Sequence, residues 1–189
     1  MKRSRVDLRE LRGVFQPVGA VLLGLGGAIA VCGLLGWSFD YVYGTTDPAR
    51  RGGELDLLAA SAAAPSIGAV LFFYGKRHAS ETVSRREAVL AVGAIWVASS
   101  VFGAVPFVLG AGMSVPDAVF ESVSGLTTTG ATVVTDIETR MSRPLLLWRS
   151  LIQWLGGMGI VVLFVAVFPN LRGGGKQMFG EEVPGTTAE

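Results

Sequence analysis

One cysteine and one histidine in 189 residues leave little room for several kinds of chemistry. A lone Cys32 forms no disulfide within the chain and supports no cysteine-based metal site. His78 lies beside Lys76 and Arg77 and reads as a solvated loop residue rather than a metal ligand or proton relay. Ser122 and Ser124 are conceivable nucleophiles. Neither stands in a Gly-x-Ser-x-Gly turn, and no second histidine is available as a base, so the expectation is that the chain is not an enzyme. Charge is scarce as well. Asp, Glu, Lys and Arg make up 16% of the residues, the net charge is +1, and no basic run is interleaved with aromatics, which argues against a nucleic-acid partner.

Apolar length is what the sequence has in abundance. Half of its residues are hydrophobic and the mean hydropathy is +0.51, well above what a soluble domain of this size needs. Four segments are long enough to cross a bilayer: about 14–37, 56–74, 88–109 and 145–168. The first follows Lys2, Arg3, Arg5, Arg9 and Arg12 and is longer than the apolar core of a signal peptide. Val31 before Cys32 fits a lipoprotein cleavage site poorly, since a small residue is wanted there. Pro65 is expected to kink the second span or divide its hydrogen-bond ladder. Gly24 with Ala28, and Gly26 with Ala30, are small-residue pairs suited to close helix approach, and Gly156, Gly157 and Gly159 read as packing positions rather than a hinge. Gly173-Gly174-Gly175-Lys176 lacks the first glycine and the Ser/Thr of a phosphate loop and reads as a flexible segment.

Positive charge orients these spans. With both termini inside, eleven Lys and Arg residues fall in cytoplasmic segments and four (Arg50, Arg51, Arg140, Arg143) outside, with Arg149 within a span. The connection between the third and fourth spans is then external. It contains Glu121–Thr132, ESVSGLTTTGAT, which is too short and too polar to cross. A short helix over about 115–125 running into Thr127-Thr128-Thr129-Gly130 suggests a re-entrant loop, because irregular backbone survives at membrane depth only where it lines water or is buried in protein. An extended threonine-rich segment can present a row of carbonyls to an ion. An ordinary threonine-rich external loop is the alternative reading of the same residues. Glu121 and Arg149 are the charges nearest the loop; they are expected to pair and brace it, against the alternative that Arg149 snorkels to the headgroups.

FESVSGLTTTGAT at 120–132 and LLLWRSLIQWLGGMGIVVLFVAVFP at 145–169 closely resemble the first pore repeat of the Trk/Ktr/HKT superfamily of potassium transporters. With the third span the resemblance covers about 85–183, and the first two spans look like the additional N-terminal helix pair of Trk membrane subunits. It implies an all-α membrane protein of four transmembrane helices plus a re-entrant pore helix and filter loop. The chain divides accordingly into 1–84 (cytoplasmic segment and helix pair), 85–170 (pore repeat, with pore helix about 115–125 and filter about 127–132) and 171–189 (cytoplasmic tail). It also implies potassium as transported substrate with no cofactor, and a filter at Thr127, Thr128, Thr129, Gly130 and Ala131, behind which the Glu121 and Arg149 pair read from the residues is the expected support. The implied partners are the lipid membrane, the remaining pore repeats or further copies of the chain, and a cytoplasmic nucleotide-binding regulatory subunit. One loop is present where such a filter takes four, so the chain is expected to be a truncated subunit; a homotetramer and a separately encoded remainder are the other solutions.

Overall fold

The computed structural model describes residues 12–43, 54–78 and 85–180, and the regular structure among them is helical throughout. Four helices are long: α1 (Arg12–Tyr43), α2 (Glu54–His78), α3 (Arg85–Ala111) and α6 (Arg143–Gly180). Two short ones, α4 (Val115–Leu126) and α5 (Ile137–Arg140), connect α3 to α6. The basic residues Lys2 to Arg9, Arg50 and Arg51 lie outside the described residues, as does 181–189.

Each long helix holds a stretch able to cross a membrane: Gly13–Phe39, Leu55–Arg77, Arg86–Ala111 and Arg143–Leu163, of 27, 23, 26 and 21 residues. About 20 apolar residues suffice for a ~30 Å hydrocarbon layer. Val31, Trp37, Val70, Phe73, Val97 and Val161 are each more than half exposed. Water would penalise such outward faces and lipid does not, so the described helices form a multi-pass membrane protein.

Glycines set how closely the spans approach. α1 and α2 run antiparallel along a seam in which a Cβ on Gly19 would lie 2.4 Å from the Phe72 nitrogen, one on Gly68 2.9 Å from Leu22 Cβ, and one on Gly75 2.4 Å from the Gln16 nitrogen. Gly26 fits against the Pro65 ring, which a Cβ would meet at 2.3 Å, whereas Gly24 faces open space; of the two small-residue pairs, the one containing Gly26 lies in the seam. α2 stays helical across Pro65, whose ring fills the notch at Gly26, so the ladder is not divided there.

Two segments differ from the sequence expectation. Within the polar stretch 133–142, Asp136 adopts a left-handed backbone (φ 57°, ψ 57°) and caps α5, its carbonyl accepting from the Thr139 and Arg140 N–H groups at 3.1 Å each. Asp is among the few residues that tolerate that region, which is why a turn of helix fits here. α6 continues to Gly180, past the expected end of the span at 168 and through the expected flexible segment at 173–176. Glycine costs about 1 kcal/mol relative to alanine in a helix interior, and nothing in the sequence explains the continuation.

Candidate functional site

α4 begins where its sequence says a helix should. Ser114 is the N-cap, with extended backbone (φ −61°, ψ 149°). Its Oγ accepts from the Asp117 N–H at 3.3 Å and donates to Asp117 Oδ2 at 2.7 Å. Pro116 occupies the first turn, where a missing N–H costs nothing, and Asp117 adds negative charge at the positive end of the helix.

The other end is less ordinary. The Thr128 N–H donates to the Gly125 carbonyl at 2.9 Å and the Thr129 N–H to the Ser124 carbonyl at 3.0 Å, the paired bonds of a Schellman ending. That ending needs a left-handed residue, normally glycine, and here it is Thr128 at φ 57°. A β-branched residue in this region costs about 1–2 kcal/mol. Two residues on, Gly130 has φ 74°, while Thr127 has φ −79° and neither Thr129 nor Ala131 is among the positive-φ residues. From Thr127 to Ala131 the sign of φ therefore alternates. In a regular strand successive carbonyls point to opposite sides; turning over every second peptide plane lets a short segment offer successive carbonyls to one side. Residues 127–132 are all exposed in the described chain. Thr127 Oγ1 donates to the Val123 carbonyl and lies 2.8 Å from Thr129 Oγ1.

Behind this segment the polar groups are paired. Glu121 is 2% exposed. Its Oε1 accepts from the Thr132 hydroxyl at 2.5 Å and from the Val133 N–H at 2.8 Å, and its Oε2 forms an ion pair with Arg149. Ser124, also buried, donates from Oγ to the Ala131 carbonyl at 2.6 Å. Charge-assisted bonds such as those of Glu121 are roughly twice as strong as neutral ones. Ser122 Oγ is buried without a hydrogen-bond partner.

α4 wedges between α3 and α6. The Trp148 indole N–H donates to the Gly103 carbonyl at 3.1 Å, and a Cβ on Gly103 would meet Ser122 Oγ at 2.6 Å and Ile152 Cδ1 at 2.8 Å. Gly125 packs on Ile152. At the tip, a Cβ on Gly156 would lie 2.0 Å from the Leu126 carbonyl oxygen, so only glycine admits the end of α4 at this point. Gly156 is about 20 Å along α6 from Arg143 at 1.5 Å per residue.

The structure thus brings Glu121 and Arg149 together, and joins Glu121 to the backbone just after Ala131. Thr127, Thr128, Thr129, Gly130 and Ala131 form one continuous segment at the end of α4. Ser124 and Thr132 are the contributors that sequence reasoning did not single out for these parts, since their contacts join residues across a turn, whereas Gly156 takes the packing position expected of it. Among the described residues no group of three or more His, Cys, Asp and Glu comes together, so carbonyls and hydroxyls are what the loop offers a cation.

Comparison with known proteins bears on the same segments. The family model described as "TrkH: Cation transport protein" matches residues 56–187. The Trk system potassium uptake protein TrkH of Halomonas elongata is 45% identical over 117 residues, covering 61% of this chain and 24% of its own length. TrkH of Escherichia coli is 34% identical over 178 residues, covering 93% of this chain and 34% of its own length. The crystal structure of the potassium transporter TrkH from Vibrio parahaemolyticus superposes with a TM-score of 0.67 at 32% identity, over 84% of this chain and 32% of that one. The chain spans no more than about a third of these relatives, yet the family match extends over most of its own length: it belongs to the TrkH cation transport protein family.

Proposed function

We propose that this chain supplies one of four filter-bearing repeats of a potassium-conducting pore in the cell membrane, with both termini on the cytoplasmic side. α4 is the re-entrant pore helix, and Thr127 to Ala131 form the filter segment. The observation that carries this reading is the alternation of φ sign along those residues at the tip of a short helix buried about 20 Å along α6. A weakly hydrated cation such as potassium can exchange its water shell for carbonyl oxygens and needs no carboxylate cluster. The carbonyl end of α4 adds partial negative charge at the same place.

Glu121 and Arg149 hold the segment from behind, through Thr132 and Val133. The length of the chain relative to its relatives fits a subunit of which this is the first pore repeat, completed by further repeats or further copies, and gated by a cytoplasmic nucleotide-binding partner. Purified chain reconstituted in liposomes, with its oligomeric mass measured in parallel, tests the reading. Potassium flux exceeding sodium flux in a tetrameric assembly supports it; absence of ion-selective flux in every assembly formed favours a membrane element that serves only in helix packing.

A further inference from the structure

We propose that Ser124 is a positioning residue of this filter, fastening the carbonyl of Ala131 to the pore helix; the inference rests on the filter reading above and adds a residue to it. Serines within the spans bond back to their own helix: Ser66 Oγ to the Ala62 carbonyl at 2.6 Å, Ser100 to Trp96 at 2.8 Å and Ser150 to Leu146 at 3.1 Å. Ser124 does not. Its hydroxyl reaches forward seven residues to Ala131 at 2.6 Å, from a position 6% exposed. Its carbonyl meanwhile accepts from the Thr129 N–H at 3.0 Å and the Gly130 N–H at 3.4 Å. One residue of α4 therefore holds three of the five filter residues.

The consequence concerns which carbonyls meet the ion. The Ala131 carbonyl is turned to the helix and serves as a fastening point, leaving those before it as ligands. With Glu121 holding Thr132 and Val133 just beyond, the segment is pinned at its far end by two independent anchors. Removing the Ser124 hydroxyl frees one anchor without touching the ion pair, so the segment can close around a smaller ion.

Ala131-Thr132 is the single Ala-Thr step in the sequence, so chain labelled with carbonyl-13C alanine and 15N threonine gives one correlation peak, reporting the Ala131 carbonyl. In Ser124→Ala the carbonyl signal moves upfield as the bond is lost; in Ser124→Thr, which keeps the donor, it stays near the wild-type position. In liposomes the potassium-to-sodium flux ratio falls in Ser124→Ala and recovers in Ser124→Thr, with the helical fold confirmed in both variants. If Ser124→Ala does not fold, Ser124→Cys, a weaker donor of similar size, gives a carbonyl shift and flux ratio intermediate between wild type and a full loss. An unmoved carbonyl signal or an unchanged flux ratio in a folded variant overturns the role of Ser124 while the filter stands. A wild-type chain that does not discriminate potassium from sodium overturns the filter reading itself, and the positioning role with it.

Discussion

Thr128 occupies, at the end of α4, the backbone position that Gly112 occupies at the end of α3. In each helix the residue after the left-handed one donates its N–H back into the helix, Met113 to the Phe107 carbonyl six positions back at 3.3 Å and Thr129 to the Ser124 carbonyl five positions back at 3.0 Å; the left-handed residue has φ 61° in one and 57° in the other. The chain uses glycine at the end of α3 and accepts strain at the end of α4. Strain of this kind persists only where surrounding contacts over-determine it, and it gathers at functional sites.

Replacing the strained residue separates these two demands. Thr128→Gly removes about 1–2 kcal/mol of backbone strain and loses part of that through greater freedom of the unfolded chain. The expected result is a thermal midpoint equal to or above wild type together with a reduced potassium-to-sodium flux ratio. A clearly lowered midpoint would show that Thr128 is there for packing alone.

The glycines of α6 make a sharper contrast than the motif WLGGMG suggests. Gly156→Ala forces Cβ against the Leu126 carbonyl oxygen, a backbone atom that cannot swing aside, and should destabilise the chain by about 1–3 kcal/mol. At Gly157 and Gly159 the nearest atoms, Thr128 Cγ2 and Trp96 Cζ2, lie 3.7 Å from the added carbon, ordinary contact distance. Those two alanine variants should match or exceed wild-type stability in thermal unfolding in detergent.

Breaking the ion pair leaves a buried charge without its partner. The Glu121 side chain is fully buried and that of Arg149 is 21% exposed, so Arg149→Gln is expected to cost up to about 3–5 kcal/mol. Glu121→Gln loses the pair and weakens the bonds from Thr132 and Val133 as well. The double variant should be more stable than the sum of the single losses predicts, which a double-mutant cycle on thermal unfolding measures directly. Strict additivity would mean the two side chains do not act on each other.

At the N-terminal end of α4 the test is a local one. Ser114→Ala removes the oxygen that accepts from the Asp117 N–H and should cost about 1 kcal/mol. Ser114→Asp restores an acceptor and should recover most of it.

How much of this was legible in the sequence depends on whether the cause is local. The start of α4 is written in Ser114, Pro116 and Asp117, and the four spans in runs of apolar residues that no soluble fold requires. The pairing of Glu121 with Arg149 follows from the cost of a charge left without a partner between apolar segments. Thr128 was harder to read, because nothing about a threonine announces a left-handed backbone; the bonds to Gly125 and Ser124 impose it. Ser124 looked like any helical serine, and only the folded loop shows its hydroxyl leaving its own helix. Likewise Gly156 and Gly157 are neighbours of one type, told apart by the carbonyl of Leu126. α5 escaped notice since a single turn of helix carries almost no periodic signal.

Gly130 offers the most direct test of the filter. A Cβ there would meet nothing within 4 Å, so the cost of Gly130→Ala comes wholly from forcing alanine to φ 74° and from any change in the peptide planes on either side. The measurement is the potassium-to-sodium flux ratio of wild-type and Gly130→Ala chains in liposomes, at equal protein content and confirmed helical fold. If residues 127–131 are a filter, the wild type prefers potassium and the variant loses that preference while remaining folded. A folded Gly130→Ala chain that keeps the wild-type preference would contradict it.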